Sequence, residues 1–381
     1  MSVTTPEGFL AGGGRAGIKS SGDLDLAIVI AEAGPVPAAG VFTRNRAAAA
    51  PVTLSRRRLQ AGRARAVVLN SGSANAGTGS AGMADAEQVT GRLAELLRNE
   101  PDEVMMCSTG PIGSRLPVGQ VLEALPGLVD SASREGGAAA AEAILTTDSR
   151  PKTAVIRGDG FSVGGMAKGS GMLRPDMATM LCVLTTDASI EAEMLRQALS
   201  RAVPTTFNSL NVDGCESTND SVMLLASGRG ARPTQDEFEG AVEAACRKLA
   251  YEMAADAEGA TRVVRIRLMG APDGDSARRY GRVVADSALV RSSFYGGDPN
   301  WGRILSALGT CQVDPAGVAI SYEGIQVAEK GCAHPFDDQE LSKLLIGDFV
   351  IDLVVGEGIG SAEIVTTDLT PDYVRFNGER S

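Results

Sequence analysis

Thirteen consecutive residues, KGSGMLRPDMATM (168–180), hold the densest set of groups able to do chemistry. They combine a cation at Lys168, glycines at Gly169 and Gly171, and a hydroxyl at Thr179 where the chain runs into the apolar segment MLCVLTT (180–186). Glycines let a backbone approach a ligand or take positive φ. Taken alone, Lys168 reads as surface charge and Thr179 as a β-branched strand residue. A second segment, CSTGPIG (107–113), offers hydroxyl and backbone N–H donors at Ser108, Thr109 and Gly110. Acyl transfer aims such donors at a developing oxyanion, although an ordinary turn after a strand suits the spacing better.

What could activate a hydroxyl here is limited by composition. The chain has one histidine, His334, so a Ser-His-Asp triad would have to use it and no zinc site built on two histidines can form. His334, in GCAHPF, reads as a loop residue. The six cysteines contain no CxxC pair and read as reduced, mostly buried thiols of a cytoplasmic protein. Only six residues are Lys against 30 Arg, and no Gly-Lys dipeptide exists, which excludes a Walker A loop. GEGIGS (356–361) resembles half of a dinucleotide fingerprint, but too few residues remain after it for a βαβ unit.

A histidine-free route uses a threonine whose own α-amine is the base. Such an amine titrates at about 7.7–8.0, so much of it is unprotonated near neutral pH. An internal Thr gains that amine only if the preceding bond, here Ala178–Thr179, is cut. The small Ala178 side chain leaves room for the hydroxyl to attack the preceding carbonyl and form an ester that water then opens.

The elements that must position these groups are mixed. AVVLN (66–70) is a buried-strand run, and Val89, Leu93, Leu96 and Leu97 form the stripe of a helix over 84–98. Residues 153–166 predict a hairpin about the Asp159–Gly160 turn, and 180–186 a strand. Thr234 and Glu237 form a capping box before Phe238, Val242, Ala245, Leu249 and Met253. Alternation predicts strands at Val264–Leu268 and Val318–Tyr322, and the run at 349–355 predicts another. Trp301 reads as a packing anchor, and Glu216 and Asp220 as a salt-bridged turn. The class is α+β or a layered α/β sandwich. The formal charge of −11 argues against nucleic acid, and no apolar stretch reaches the about 18 residues of a membrane span. No signal or transit peptide is read at the start of the chain.

The same segments resemble the ornithine acetyltransferase (ArgJ) family, glutamate N-acetyltransferases of arginine biosynthesis. Its KGxGMxxPxMAT block stands as Lys168 to Thr179, and its STG segment as Ser108–Thr109–Gly110. TTD stands as Thr146 to Asp148, STND as Ser217 to Asp220, EGA as Glu258 to Ala260, GxDPNWGR as Gly296 to Arg303 and YVxxN as Tyr373 to Asn377. The resemblance runs from VFTRNR (41–46) to the tail. There are departures: Ser73 and Gly77 stand where the family commonly has Asn and Cys, Ala257 where many members have Gly, and Ser381 ends the tail one residue short.

The resemblance implies an αββα sandwich of the self-cleaving, Thr-nucleophile type. It implies cleavage at Ala178–Thr179 into an α chain (1–178) and a β chain (179–381), assembled as a heterotetramer of two of each. Thr179 would carry the acetyl group, with Thr109 and Gly110 as the oxyanion hole. Substrate contacts would be Thr146, Lys168, Thr179, Glu258, Asn377 and, in place of the usual tail residue, Ser381. The substrates would be N-acetyl-L-ornithine and L-glutamate, with no metal or other cofactor; whether acetyl-CoA is also a donor is left open. A self-cleaving amide hydrolase or aminopeptidase, an inert amino-acid-binding paralogue and an acetyltransferase of secondary metabolism are the rival readings.

Overall fold

The computed structural model describes residues 2–174 and 180–379. Ala178, Thr179 and Ser381 therefore lie outside the described residues. The chain forms two compact units, one from Met1–Ser170, Asp176–Phe207 and Glu216–Met253, the other from Gly171–Pro175, Asn208–Cys215 and Ala254–Ser381. These units do not follow the 178/179 boundary.

Short apolar runs become the strands of the first unit. They are β1 (Phe9–Gly14), β2 (Leu26–Ala31), β3 (Val36–Phe42), β4 (Arg63–Ala64), β5 (Ala66–Ser71), β6 (Val104–Thr109), β7 (Lys152–Arg157), β8 (Ser162–Lys168), β9 (Leu181–Thr186) and β10 (Ser221–Ala226). Their helices are α1 (Ala50–Arg58), α2 (Gly79–Leu97), α3 (Val118–Ser131), α4 (Gly137–Ala143), α5 (Ala192–Thr205) and α6 (Gln235–Ala254). One sheet has the order β1-β2-β5-β6, the other β4-β3-β10-β9-β8-β7.

Alternation explains why these sheets stack. Val29, Val67, Leu69 and Met105 of the first sheet share a buried core with Met166, Leu181, Val183 and Met223 of the second. The opposite side chains of the first sheet, among them Ile28, Val68 and Met106, pack on Val89 and Leu93 of α2 and Val121 and Leu125 of α3. Helix α5 packs on β3 and β10, and α6 lies against β8, where a Cβ at Gly165 would come 3.2 Å from Leu249 Cδ1. The result is the expected αββα layering. Strand β9 pairs antiparallel with β8 and parallel with β10, so strands from both sides of residue 179 share one ladder.

The second unit contains β11 (Val263–Ala271), β12 (Ala319–Tyr322), β13 (Ile325–Glu329), β14 (Cys332–Ala333), β15 (Phe349–Val354) and β16 (Gly360–Thr367). Their order is β14-β13-β12-β15-β11-β16. Helices α7 (Gly274–Asp286), α8 (Ala288–Gly296), α9 (Trp301–Gly309), α10 (Asp338–Leu344) and α11 (Pro371–Gly378) complete it. Val264, Ile266 and Leu268 enter the core with Val284, Phe294 and Ile304, and Trp301 packs against that core as an anchor. Arg267 faces outward between Asp352 and Glu363.

The elements expected from periodicity are present, with α2 beginning several residues before position 84. GEGIGS links β15 to β16. Its Gly358 N–H donates to the Gly270 carbonyl at 3.0 Å beside a bulge in β11, which is sheet geometry rather than a phosphate cradle. Cys107, Cys182 and Cys246 are buried, but Cys215 and Cys332 are exposed and Cys311 half-buried. The expectation of mostly buried thiols is corrected: Cys311 lies in the half-buried turn after α9, and the other two thiols sit in an exposed loop and an edge strand. His334 is a loop residue whose Nδ1 lies 3.1 Å from the Pro335 carbonyl. No helix among the described residues is long and apolar enough to cross a membrane.

Candidate active site

Strand β6 delivers Ser108 and Thr109, with Ser108 opposite Asn70 and Thr109 opposite Ser71 of the parallel β5. The turn then passes through Gly110 at φ +139°, where a Cβ would lie 2.5 Å from the Ser73 nitrogen and 2.6 Å from the Gly72 carbonyl carbon. Only glycine fits there. Ser108 is consumed by the scaffold: its hydroxyl donates to Asn70 Oδ1 at 2.5 Å, and its carbonyl accepts from Asn219 Nδ2 at 2.9 Å. Asn219 also donates to the Ala74 carbonyl at 2.6 Å. Thr109, likewise buried, keeps its hydroxyl 3.4 Å from Lys168 Nζ.

Lys168 ends β8 and is buried, which corrects its reading as surface charge. Its Nζ donates to Thr146 Oγ1 at 2.6 Å and lies 3.5 Å from Asp148 Oδ2. Asp148 organises this end of the sheet. Its Oδ1 accepts from Lys152 Nζ at 2.5 Å and from the Gly169 N–H at 2.6 Å, while Oδ2 accepts from the Thr146 N–H at 3.2 Å. The side chains of Lys152 and Asp148 are wholly withdrawn from solvent. Burial pushes the Asp148 carboxyl up, but Lys168, Lys152 and the Gly169 N–H outweigh it and hold it well below the usual carboxylate range. Lys168 otherwise meets two neutral hydroxyls, so its charge can bind an incoming carboxylate. The antiparallel β7–β8 hairpin makes this possible by opposing Lys152 to Ala167.

The STND segment is not a salt-bridged turn. Asp220 is fully buried and accepts the Met180 N–H at 2.9 Å, because the chain runs from it straight into β10 beside β9. Burial pushes its carboxyl well up, against the hydrogen bond from the Met180 N–H.

In the second unit, Glu258 accepts from Asn377 Nδ2 at 3.2 Å. Asn377 lies on α11, which Thr370 caps by accepting the Tyr373 N–H at 3.0 Å. The same hydroxyl donates to the Gly259 carbonyl at 2.6 Å, tying α11 to the EGA turn. A Cβ at Gly171 would lie 2.7 Å from the Glu258 carboxylate, so this glycine makes room for the acid. Asp213 accepts the Met172 N–H at 2.5 Å, and burial pushes its carboxyl up.

Of the residues singled out in the sequence, Thr109, Thr146 and Lys168 come together in the first unit beside the Gly110 turn. Glu258 and Asn377 come together in the second. Lys152, Asp213 and Asn219 were missed, as was the anchoring use of Asp148. No three His, Cys, Asp or Glu side chains among the described residues are placed to hold a metal.

A sequence model of the ArgJ family matches residues 10–381. The arginine biosynthesis bifunctional protein ArgJ of Thermobifida fusca is 45% identical over 384 residues, covering 100% of both chains. Its namesake from Mycobacterium leprae is 46% identical over 393 residues, covering 100% of this chain and 96% of the relative. A solved ornithine acetyltransferase complexed with ornithine, from Mycobacterium tuberculosis, is 46% identical and covers 47% of this chain and 96% of that one, with a TM-score of 0.45.

Proposed function

The chain belongs to the ArgJ family of arginine biosynthesis enzymes, and we propose that it moves acetyl from N-acetyl-L-ornithine to L-glutamate by a ping-pong reaction. The chain first cuts itself between Ala178 and Thr179. Thr179 Oγ1 then attacks the acetyl carbonyl while its α-amine takes the hydroxyl proton. The Thr109 hydroxyl and the Gly110 N–H hold the oxyanion. As the intermediate collapses, the C–N bond breaks and the amine returns the proton to the ornithine nitrogen. The α-amino group of glutamate attacks the acetyl-Thr179 ester by the reverse path. No metal or organic cofactor is needed.

In this reading Lys168, hydrogen-bonded to Thr146, pairs with the α-carboxylate that both amino acids carry. Glu258 meets the δ-ammonium of ornithine, with Asn377 beside it. The observation that carries the reading is the buried Lys168 ammonium set between the Thr146 and Thr109 hydroxyls at 2.6 and 3.4 Å. Asp148 lies 3.5 Å from the same ammonium, and a substrate carboxylate would meet it on the side of the Thr109 hydroxyl. The shared ladder of β8, β9 and β10 supports lasting association of the two fragments, which we assign to a heterotetramer of two α and two β chains. Acetyl-CoA is the second donor to test, since the same hydroxyl would accept its acetyl group.

A mass spectrum of the purified protein tests the cleavage: fragments 1–178 and 179–381 are expected. Thr179→Ala should leave one uncut chain without transfer activity. An active protein whose chain stays whole would overturn the amine-as-base mechanism. Acetylornithine with and without glutamate separates a transferase from a hydrolase, because only a hydrolase turns over without acceptor.

A further inference from the structure

One fully buried carboxyl, Asp220, takes no part in the acyl transfer proposed above. Its Oδ1 accepts the Met180 N–H at 2.9 Å, and that nitrogen belongs to the peptide bond joining Met180 to Thr179. The Met180 carbonyl accepts the Ser221 N–H at 3.1 Å. Met180 is thus gripped on both sides by consecutive residues of one turn.

That turn is itself fixed. The Asp220 carbonyl accepts the Thr43 N–H at 3.0 Å, and Thr43 Oγ1 donates to the Ser217 carbonyl at 2.9 Å. Asn219 reaches across to the carbonyls of Ala74 and Ser108, the latter one residue before Thr109. One four-residue segment therefore holds the backbone after Thr179 and the backbone before Thr109. Asp220 Oδ2 has no hydrogen-bond partner among the described residues although it is buried.

We propose that Asp220 is a positioning residue for Thr179, holding the Thr179–Met180 peptide in register with the Ser108–Gly110 segment. The role rests on the reading of Thr179 as nucleophile. Burial pushes the carboxyl well up, and its Oδ1 accepts the Met180 N–H at 2.9 Å as an amide oxygen in that place would. A nucleophile must be held to a fraction of an ångström, and a 1 Å error can cost about a hundredfold in rate.

The test compares Asp220→Ala, Asp220→Asn and Asp220→Glu in the full-length protein. It follows the extent of cutting by mass, kcat and KM for acetylornithine, and hydrogen exchange at the Met180 amide. Asp220→Ala should deprotect that amide, slow cutting and lower kcat by about 10- to 100-fold, with KM changed less than about threefold. Asp220→Asn keeps a neutral acceptor in place and should restore cutting and kcat to within about threefold. Should Asp220→Ala fail to fold, the other two decide: Asp220→Glu misplaces the acceptor and should be slow where Asp220→Asn is fast. Asp220→Asn as impaired as Asp220→Glu would overturn the acceptor role. A wild-type protein that cuts and transfers normally, with Asp220→Ala its equal, would overturn this role alone. A wild-type chain that neither cuts nor transfers acetyl would overturn the functional reading and this role together.

Discussion

In the first unit the charges around Lys168 are withdrawn from solvent and held at strand ends, whereas in the second the Glu258–Asn377 pair stands on a turn and a terminal helix, with Asn377 exposed. Asp148 alone gathers two ammonium groups and two backbone N–H donors. Glu258 is joined to its helix through one amide at 3.2 Å. The buried arrangement commits the fold: ions taken out of water are tolerated only while their partners stay in place. The surface arrangement commits little, because water can replace what is lost. Substitutions of the buried charges in the first cluster should therefore cost stability and turnover together. Those in the second should change which substrate is preferred while leaving the fold alone.

The largest effect should come from Asp148→Asn. It leaves Lys152 and Lys168 buried without the carboxylate they share, and breaking a buried pair in this way costs about 3–5 kcal/mol. Urea denaturation at neutral pH should show that loss, and acetyl transfer should fall with it. Because the folded-state carboxyl titrates below its unfolded value, its contribution is complete above the ordinary carboxylate range. It is lost as pH falls through the folded value. Wild-type stability should thus decline on acidification below about pH 4, and Asp148→Asn should lack that part of the decline. A variant as stable as wild type at pH 7 would break the contrast between the two clusters.

Next in size is Thr109→Ala. Removing one oxyanion donor lowers turnover by about 10²–10³, and the small loss of volume at the end of β6 should leave urea stability within about 1 kcal/mol. Steady-state kinetics on acetylornithine and glutamate measure it. Unchanged turnover would take Thr109 out of the mechanism and leave the buried cluster a purely structural device.

Much of this arrangement was legible where pattern is local. The alternation of Val264, Ile266 and Leu268 against Arg265 and Arg267 became β11, and the capping box appears as reciprocal bonds between Thr234 and Glu237. What escaped was long-range. Lys168 read as surface charge because lysines are rarely buried, and nothing adjacent to it in sequence shows Asp148 20 residues away. A signal did exist. The Asp159–Gly160 turn, once read, folds Lys152 back to the level of Ala167, beside Lys168. Two of only six lysines at one end of a hairpin demand an acid, and Asp148 is the nearest before β7. Asp220 was misjudged for the opposite reason. A carboxylate near Glu216 in a polar turn looks solvated until the parallel pairing of β9 and β10, a non-local fact, buries it against Met180.

Glu258→Gln should act more gently and selectively. It removes the charge that would meet the δ-ammonium while keeping the side chain's size and its place beside Gly171 and Asn377. The KM for acetylornithine should rise about tenfold, the equivalent of about 1.4 kcal/mol, with the KM for glutamate changed less than about twofold. Equal losses for both substrates would mean that Glu258 serves the fold or the Thr179 amine instead of reading the side chain.

The smallest effect should come from Asn377→Ala. Asn377 Nδ2 donates to Glu258 Oε2 at 3.2 Å and to the Tyr373 carbonyl at 3.1 Å, both in reach of water. Exposed hydrogen bonds contribute little to stability, so the fold should not register the change. If Asn377 serves to orient Glu258, a net hydrogen bond of about 0.5–1 kcal/mol predicts a two- to fivefold rise in KM for acetylornithine. The double variant sharpens the point. If Asn377 acts only through Glu258, adding Asn377→Ala to Glu258→Gln should cost nothing further, a non-additivity as large as the Asn377→Ala effect itself. If the two effects add, Asn377 touches the substrate directly, and the second cluster holds two independent contacts in place of one aimed carboxylate.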